Sequence, residues 1–338
     1  MNKTLVQLKE KINQEGLKVV IIPHISADGD AAGACSALWQ IFDQLGVEAQ
    51  VITCDYFPDY LKWLKRIPNS ISFQNKPKAC KQWLKEAGLL FLVDHNTHRR
   101  EGDLEFFTKK FKGETVIIDH HPDPDAATYC ISDIRVSSTC EILYAVIAQL
   151  WGKQAIDTDI ANALYAGIST DTGGLNHNSS RPETFRVVAD LLELGLDKEF
   201  VHDQLYMKNT LSRLRLTGNC LLNKLEISDR YPLAIIPITL SELERYEYRD
   251  GDLEGLVNIP LTLENVLISV QITERKDKIK LSFRSKGDIP VNLWAKTYFN
   301  GGGHKNAAGG QMVLSMEEVI EKLKETAEWF FNESGVTG

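Results

Sequence analysis

Short, continuously apolar segments alternate with helical patterns through the first third of the chain, and this alternation restricts the fold more than any other feature. Strands that are apolar along their whole length are buried on both faces, which is typical of a parallel sheet covered by helices on each side. The sequence therefore predicts an N-terminal α/β domain with a parallel sheet. The predicted strands are 19–22, 49–54, 89–93 and 115–118, and the predicted helices between them are 31–45 and 78–87.

The rest of the chain shows two further changes of pattern. Helical spacing dominates from about residue 138 to 222, beginning with Ser138 or Thr139 as a helix cap and Glu141 in the first turn. We predict an α/β domain at 1–195, a helical connector at 196–223 and a smaller α+β domain at 224–338. The predicted elements are helices ending at 150 and spanning 157–169, 182–194 and 197–206, strands at 233–238, 266–272 and 279–283, and a helix at 316–331.

The composition is that of a globular protein with a full core, with 43% hydrophobic and 25% charged residues among 338. The net charge of −8 argues against a coat for long DNA, which presents a broad basic face. No apolar run approaches the roughly 20 residues of a membrane-spanning helix, and the N-terminus lacks the apolar core of a signal peptide. Six cysteines without a Cys-x-x-Cys pair favour reduced thiols, so we expect a cytoplasmic protein without a membrane partner.

Acidic and imidazole side chains follow three of the predicted strands at the point where each strand ends. Because the carboxyl ends of parallel strands share one edge of a sheet, where ligands bind, we expect these side chains to converge. A fourth acidic cluster, Asp171-Thr172-Gly173-Gly174, ends a predicted helix. The side chains after the three strands are His24, Asp28 and Asp30, then Asp94 and His95, then Asp119, His120 and His121.

These residue types favour a pair of divalent metal ions. Aspartate oxygens and histidine nitrogens bind such ions, and two neighbouring ions need several carboxylates, one of them bridging. Each motif alone has a simpler explanation: Asp28-Gly29-Asp30 is typical of a turn and helix cap, and His24 of a core histidine. The joint occurrence favours the metal site. A donor set without cysteine favours manganese, with magnesium or cobalt as alternatives.

The set of motifs resembles the four motifs of the DHH phosphoesterase family, in order and over essentially the whole chain. The matching segments are His24-x3-Asp28-x-Asp30, Asp94, Asp119-His120-His121 and Asp171-Thr172-Gly173-Gly174. The four together are specific, whereas any single motif is weak. The family includes RecJ-type exonucleases, nanoRNases that also act on pAp, cyclic-dinucleotide phosphodiesterases and family II inorganic pyrophosphatases.

The resemblance implies a role for each of these side chains. The metal ligands would be His24 and Asp28 for one ion, Asp30, His120 and Asp171 for the other, and Asp94 as the bridge between them. Asp119 would orient His120. His121 would face the substrate phosphate as a hydrogen-bond donor or general acid, so Asp94, Asp119 and His121 are the implied catalytic residues.

The C-terminal domain favours one branch of the family. Asn300-Gly301-Gly302-Gly303-His304, followed by Ala307-Ala308-Gly309-Gly310, resembles the substrate-binding motif of the nanoRNase and RecJ-type branch, although a glycine run is also typical of a flexible loop. Arg284, in a basic segment at 275–286, resembles the partner residue that contacts a substrate phosphate. The implied partners are short single-stranded RNA or DNA oligonucleotides and the mononucleotide bisphosphate pAp, bound in a cleft between the two domains.

Two alternative functions stay open at this point. Asp94-His95-Asn96 resembles the motif usual in family II pyrophosphatases, so a manganese pyrophosphatase is the second hypothesis. A catalytically inactive nucleotide-binding module is the third, although every expected metal ligand is present. A second copy of this chain, in a homodimer, is the remaining class of partner.

Overall fold

The structure is a computed structural model that describes residues 3–334. Its internal contacts divide the chain into two compact units, Met1–Lys208 and Asn209–Gly338. The division falls inside the segment 196–223, and the exact domain bounds given above stay predictions. No helix among the described residues is long and apolar enough to cross a lipid bilayer.

Within residues 3–208, the first unit contains six strands and eight α-helices. The strands are β1 (Lys18–Pro23), β2 (Glu48–Thr53), β3 (Ile71–Ser72), β4 (Leu89–Val93), β5 (Glu114–Asp119) and β6 (Tyr129–Ser132). The helices are α1 (Lys3–Ile12), α2 (Gly29–Gln44), α3 (Pro77–Glu86), α4 (Glu105–Thr108), α5 (Thr139–Trp151), α6 (Thr158–Asp171), α7 (Pro182–Glu193) and α8 (Lys198–Tyr206). Single turns of 3-10 helix lie at Asp59–Leu61, Ile67–Asn69 and Lys153–Ala155, and a longer one at His98–Leu104.

The six strands form one sheet in the order β3-β2-β1-β4-β5-β6, and every neighbouring pair is parallel. The predicted parallel sheet is therefore confirmed. The sequence does not predict β3 and β6, because these edge strands have only two and four residues and are half exposed. Short, partly polar edge strands are a usual way to protect a sheet from pairing with another chain.

Alternate residues of the central strands enter two separate cores, one on each face of the sheet. Val19 and Ile21 of β1 pack with the core that contains Phe42 of α2. Val20 and Ile22 of the same strand pack with the core that contains Cys80 of α3. All four β1 side chains are fully buried, and each such burial contributes about 1.5–3 kcal/mol. The prediction of helices on both faces is confirmed.

The second unit is a mixed α+β domain, as the sequence predicts. Its strands, in the sheet order β11-β12-β10-β9-β8-β7, are all antiparallel to their neighbours except for the parallel pair β8 and β9. The strands are β7 (Glu226–Ile227), β8 (Leu233–Ile238), β9 (Ile268–Glu274), β10 (Ile279–Ser285), β11 (Gly302–His304) and β12 (Ala307–Met312). The helices are α9 (Leu211–Asn219), α10 (Leu240–Arg245), α11 (Val291–Tyr298) and α12 (Met316–Ser334), with a π-helical turn at Cys220–Lys224 and a 3-10 segment at Leu256–Thr262.

Aromatic packing holds α11 and α12 on one face of this sheet. Trp294 of α11 stacks on Phe330 of α12, with ring centroids 4.8 Å apart and planes inclined by 8°. Phe283 of β10 and Phe299 complete the group, and Trp294, Phe283 and Phe299 are fully buried. The glycine-rich segment 300–310 belongs to this sheet, because Gly302–His304 forms β11 and pairs with β12. It is a β-hairpin, so its description as a flexible loop is wrong.

Replacing Gly33 with alanine is expected to destabilise the first unit by about 1–3 kcal/mol. Gly33 lies on α2 where this helix packs on α6, and a Cβ atom there would overlap the carbonyl oxygen of Ala163. Urea titration gives the free energy of unfolding. Gly218→Ala on α9 is the matched control, because a Cβ there meets nothing within 4 Å and alanine favours a helix. An equal loss of stability in both variants would contradict this packing explanation.

Candidate metal centre

The three predicted strand ends meet at one edge of the parallel sheet. β1 pairs with β4, and β4 pairs with β5, so His24, Asp94 and Asp119 lie at the carboxyl ends of adjacent strands. α2 begins just after β1 and contributes Asp28 as its N-cap, whose side chain accepts hydrogen bonds from the Asp30 and Ala31 amides at 3.1 Å. The structure therefore gathers side chains that are up to 147 positions apart in the sequence, from His24 to Asp171.

The first cluster of potential ligands is His24, Asp28 and Asp94. His24 Nε2 lies 3.4 Å from Asp94 Oδ2 and 3.7 Å from Asp28 Oδ1. His24 Nδ1 lies 2.8 Å from the carbonyl oxygen of Ile25, which must accept, so Nδ1 carries a proton and, in the neutral ring, the lone pair is on Nε2. Within residues 3–334 this buried Nε2 has no hydrogen-bond partner, so it is available to a metal ion.

The second cluster is Asp30, His120 and Asp171, and it adjoins the first through Asp94. His120 Nε2 lies 3.2 Å from Asp171 Oδ2, 3.6 Å from Asp94 Oδ1 and 4.0 Å from Asp30 Oδ2. Asp94 therefore directs Oδ2 towards the first cluster and Oδ1 towards the second. A carboxylate with one oxygen on each side has the arrangement of a bridging ligand.

The N-terminus of α5 fixes two of these carboxylates. Asp30 accepts hydrogen bonds from the amides of Thr139 at 2.6 Å and Cys140 at 2.9 Å, which are the first amides of the helix. The Thr139 hydroxyl donates to Asp94 Oδ1 at 3.0 Å. Gly167 of α6 makes room for this arrangement, because a Cβ there would lie within 2.5 Å of Asp30 Oδ1. Sequence reasoning identified Thr139 only as a candidate cap, whereas Ser138 is the N-cap and Thr139 contacts the site.

Comparison with known proteins finds a matching family domain in each of the two units. Residues 18–168 match the DHH family N-terminal domain, and residues 236–333 match the DHHA1 domain. The crystal structure of an exopolyphosphatase-related protein from Bacteroides fragilis shares 31% sequence identity and covers 99% of this chain and 100% of its own, with a TM-score of 0.92. The chain belongs to the DHH family. Its first unit is hereafter the DHH unit and its second the DHHA1 unit.

Two relatives place the chain within this family. The Thermus thermophilus protein named bifunctional oligoribonuclease and PAP phosphatase NrnA is 26% identical over 325 residues, 94% of this chain and 93% of that protein. The Bacillus subtilis protein of the same name is 24% identical over 298 residues, 87% of this chain and 89% of that protein. The resemblance to the nanoRNase and pAp-phosphatase branch of the DHH family is confirmed.

The buried carboxylates of the DHH unit repel one another. Burial raises the pKa of Asp171 to about 7, with His120 opposing this change and the charges of Asp28 and Asp94 reinforcing it. Burial, followed by the charges of Asp94 and Asp171, raises the pKa of Asp30 well above its ordinary value. Burial first, and then the neighbouring carboxylates, therefore disfavour the ionised forms of Asp30 and Asp171 when no cation is bound.

The pKa values of the two imidazoles rise as well, and for an imidazole a rise favours the positively charged form. Burial lowers the pKa of His24, but the carboxylates of Asp28 and Asp94 outweigh it and raise this pKa to about 10. The pKa of His120 rises to about 10 for the same reason, with Asp171 as the largest contribution that raises it. Divalent cations would supply the compensating charge, so the donor set fits a metal pair.

Asp94 occupies an unusual backbone conformation. Its φ of +60° lies in the left-handed region, which costs about 1–3 kcal/mol for a residue other than glycine and is least unfavourable for aspartate and asparagine. Its amide donates to the carbonyl oxygen of Ile118 at 3.0 Å. The next residue, His95, is fully buried and contacts the carbonyl oxygen of Val93 and Glu101 Oε1, at 3.0 and 3.3 Å. His95 therefore supports the loop that presents Asp94.

Asp119 holds His121 through two hydrogen bonds. Its Oδ2 accepts from the His121 amide at 2.9 Å, and its Oδ1 lies 2.7 Å from His121 Nδ1. The resemblance assigns Asp119 to the orientation of His120, and that role stays a prediction. Arg100, which the sequence analysis did not identify, places Nη1 3.0 Å from His121 Nε2. The available signal was a basic residue in the segment that follows β4, the second strand that ends in candidate ligands.

The predicted substrate-binding residues form a row in the DHHA1 unit. Arg284 of β10 pairs with Ala307 of β12, and Ala307 pairs with His304 of β11. Residues directly opposite one another in a sheet project on the same face, so Arg284 and His304 flank the small Ala307 side chain. The packing of the hairpin explains why glycine occupies positions 301 and 303, because a Cβ at either position would overlap the β12 backbone. A Cβ at Gly302 would meet open space.

Proposed function

We propose that this protein is a phosphoesterase that uses two divalent metal ions, manganese first among them, to hydrolyse short oligonucleotides and the 3′-phosphate of pAp. The observation that carries the proposal is the position of Asp94, whose two oxygens face two separate clusters of ligands. Carboxylates and imidazoles without cysteine suit manganese better than a structural zinc site.

The residues of the DHH unit would either hold the ions or position other side chains. His24 and Asp28 would hold one ion. The other ion would be held by Asp30, His120 and Asp171, and Asp94 would contact both. When bound, such a pair supplies Lewis acidity, which lowers the pKa of water and offsets negative charge on the phosphoryl oxygens. Thr139 keeps Asp94 Oδ1 in its orientation. Asp119 keeps His121 in position beside the ligands, at 3.9 Å from Asp94 Oδ1, where it would meet the substrate phosphate.

The DHHA1 unit would bind the rest of the nucleotide. The row of Arg284, Ala307 and His304 offers a guanidinium and an imidazole separated by a methyl group, which suits a phosphate next to a sugar or base. The glycine segment 301–303 brings main chain close to this row. The net charge of −8 favours short oligonucleotides over long duplexes.

A cytoplasmic location is part of the proposal. All six cysteines lie within the described residues and are unpaired, and five of them are buried. Unpaired buried thiols are usual in proteins of a reducing compartment.

One panel of substrates tests the proposal. Purified protein with manganese is expected to hydrolyse pApA and pAp faster than cyclic di-AMP or pyrophosphate, and to be more active with manganese than with zinc. Hydrolysis of pyrophosphate alone would support the pyrophosphatase hypothesis instead. Bound manganese without hydrolysis of any substrate would indicate a nucleotide-binding module.

A further inference from the structure

Arg100 brings a fixed positive charge to the metal centre of the DHH unit. It is half-buried in the loop between β4 and α4, and its Nη1 lies 3.0 Å from His121 Nε2. Its main chain is tied to the first ligand loop, because the amide of Ile25 donates to the Arg100 carbonyl oxygen at 2.7 Å. Burial and the carboxylates of Asp28 and Asp94 have the largest effects on the pKa of His24, and the positive charge of Arg100 has a smaller effect that lowers it.

The donors and acceptors around His121 define its tautomer. A guanidinium only donates, so His121 Nε2 must accept from Arg100. The Asp119 carboxylate only accepts, so the proton of His121 lies on Nδ1. In this arrangement Nε2 has no proton to give, and the group that can donate to an incoming anion is the guanidinium of Arg100.

The segment that carries Arg100 is held by contacts to the buried carboxylate of Glu101. Glu101 is fully buried, and its Oε1 lies 2.8 Å from His98 Nδ1 and 3.3 Å from His95 Nε2. The amide of His98 also donates to Asp125 Oδ2 at 2.9 Å. A group anchored on both sides in this way loses little freedom when a ligand binds, which favours binding.

We propose that Arg100 binds a non-bridging phosphoryl oxygen of the substrate and exchanges its contact with His121 Nε2 for one with that oxygen. The inference rests on the proposed phosphoesterase function. A phosphate oxygen is a stronger acceptor than a neutral imidazole, because the hydrogen bond then joins opposite charges. The planar guanidinium can also make two such bonds at once, which a lysine cannot.

Arg100→Gln is expected to lower kcat/KM for pApA with manganese by about 100-fold, the usual loss for a donor to a reacting oxyanion. Arg100→Lys should recover part of this loss. Arg99→Gln is the matched control, because Arg99 is exposed and its substitution removes the same charge from the same segment. The kcat/KM of this control should stay within about twofold of wild type. Thermal unfolding and manganese content confirm that each variant is folded and loaded.

Two measurements besides activity separate a phosphate contact from a purely structural role. Inorganic phosphate should bind manganese-loaded Arg100→Gln at least about 10-fold more weakly than wild type or Arg99→Gln. In metal-free wild-type protein, nitrogen-15 NMR should find His121 with its proton on Nδ1. Equal phosphate affinity in Arg100→Gln and Arg99→Gln would overturn the inference, even if kcat fell, since Arg100 would then act only through His121.

The same experiment distinguishes this inference from the function on which it rests. Wild-type protein that hydrolyses no phosphoester would refute the proposed function, while the phosphate affinities would still decide the role of Arg100. Active wild-type protein with equal kcat/KM for Arg100→Gln and Arg99→Gln would refute the inference alone.

Discussion

Asp94→Asn is expected to reduce hydrolysis of pApA by about 1000-fold or more at saturating manganese. A neutral amide cannot offset the repulsion between two divalent ions, and it offers only one oxygen where Asp94 directs one to each cluster. Steady-state kinetics with a metal titration measure the effect. Asparagine tolerates the left-handed backbone of residue 94 as well as aspartate does, so the substitution removes charge without adding strain.

Asp123→Asn is the matched control for this result. Asp123 is exposed, has φ of +56° and belongs to neither ligand cluster, so the same substitution is made in nearly the same backbone conformation without removing a candidate ligand. It should leave both activity and thermal stability close to wild type. Near-normal turnover of Asp94→Asn would remove its assignment as the bridging ligand.

Arg284→Ala is expected to lower kcat/KM for pApA by about 10- to 100-fold, because a hydrogen bond to a charged group contributes about 1.5–3 kcal/mol. The guanidinium is half-buried, and its Nη1 also donates to the carbonyl oxygen of Phe283 at 3.0 Å. Stability should change little, since the core side chain at this point of β10 is Phe283. Parallel measurements of kcat/KM and of thermal unfolding separate the two effects.

Lys280→Ala provides the comparison for Arg284. Lys280 lies four residues earlier on β10 and therefore on the same face of the strand, about 13 Å away. The substitution of Lys280 removes one positive charge from the same basic segment. If both variants lost activity equally, the effect would be one of general charge, and a specific phosphate contact at Arg284 would be refuted.

The strand ends of the DHH unit could be predicted because local pattern and topology agree there. β1, β4 and β5 are apolar along nearly their whole length, and such strands form parallel sheets whose carboxyl ends share an edge. The helix start at Ser138 was equally visible, and its hydroxyl accepts from the Glu141 amide at 3.1 Å. Capping depends on residues three apart, so the sequence itself contains the information.

The contacts that the sequence did not predict depend on tertiary structure. Thr139 and Cys140 bind Asp30 across more than 100 residues, and no periodicity connects them. Arg100 reaches His121 from the short 3-10 segment His98–Leu104, whose sequence shows no apolar periodicity. The strand β11 was missed because glycine has low β-propensity, and only its close approach to β12 shows why glycine is needed at Gly301 and Gly303.

The most direct test of the metal centre is anomalous diffraction from crystals of the full chain soaked in manganese. The account predicts two peaks about 3.5–4 Å apart, one beside His24 and Asp28 and the other beside Asp30, His120 and Asp171, with Asp94 between them. A single peak, or peaks away from Asp94, would contradict it.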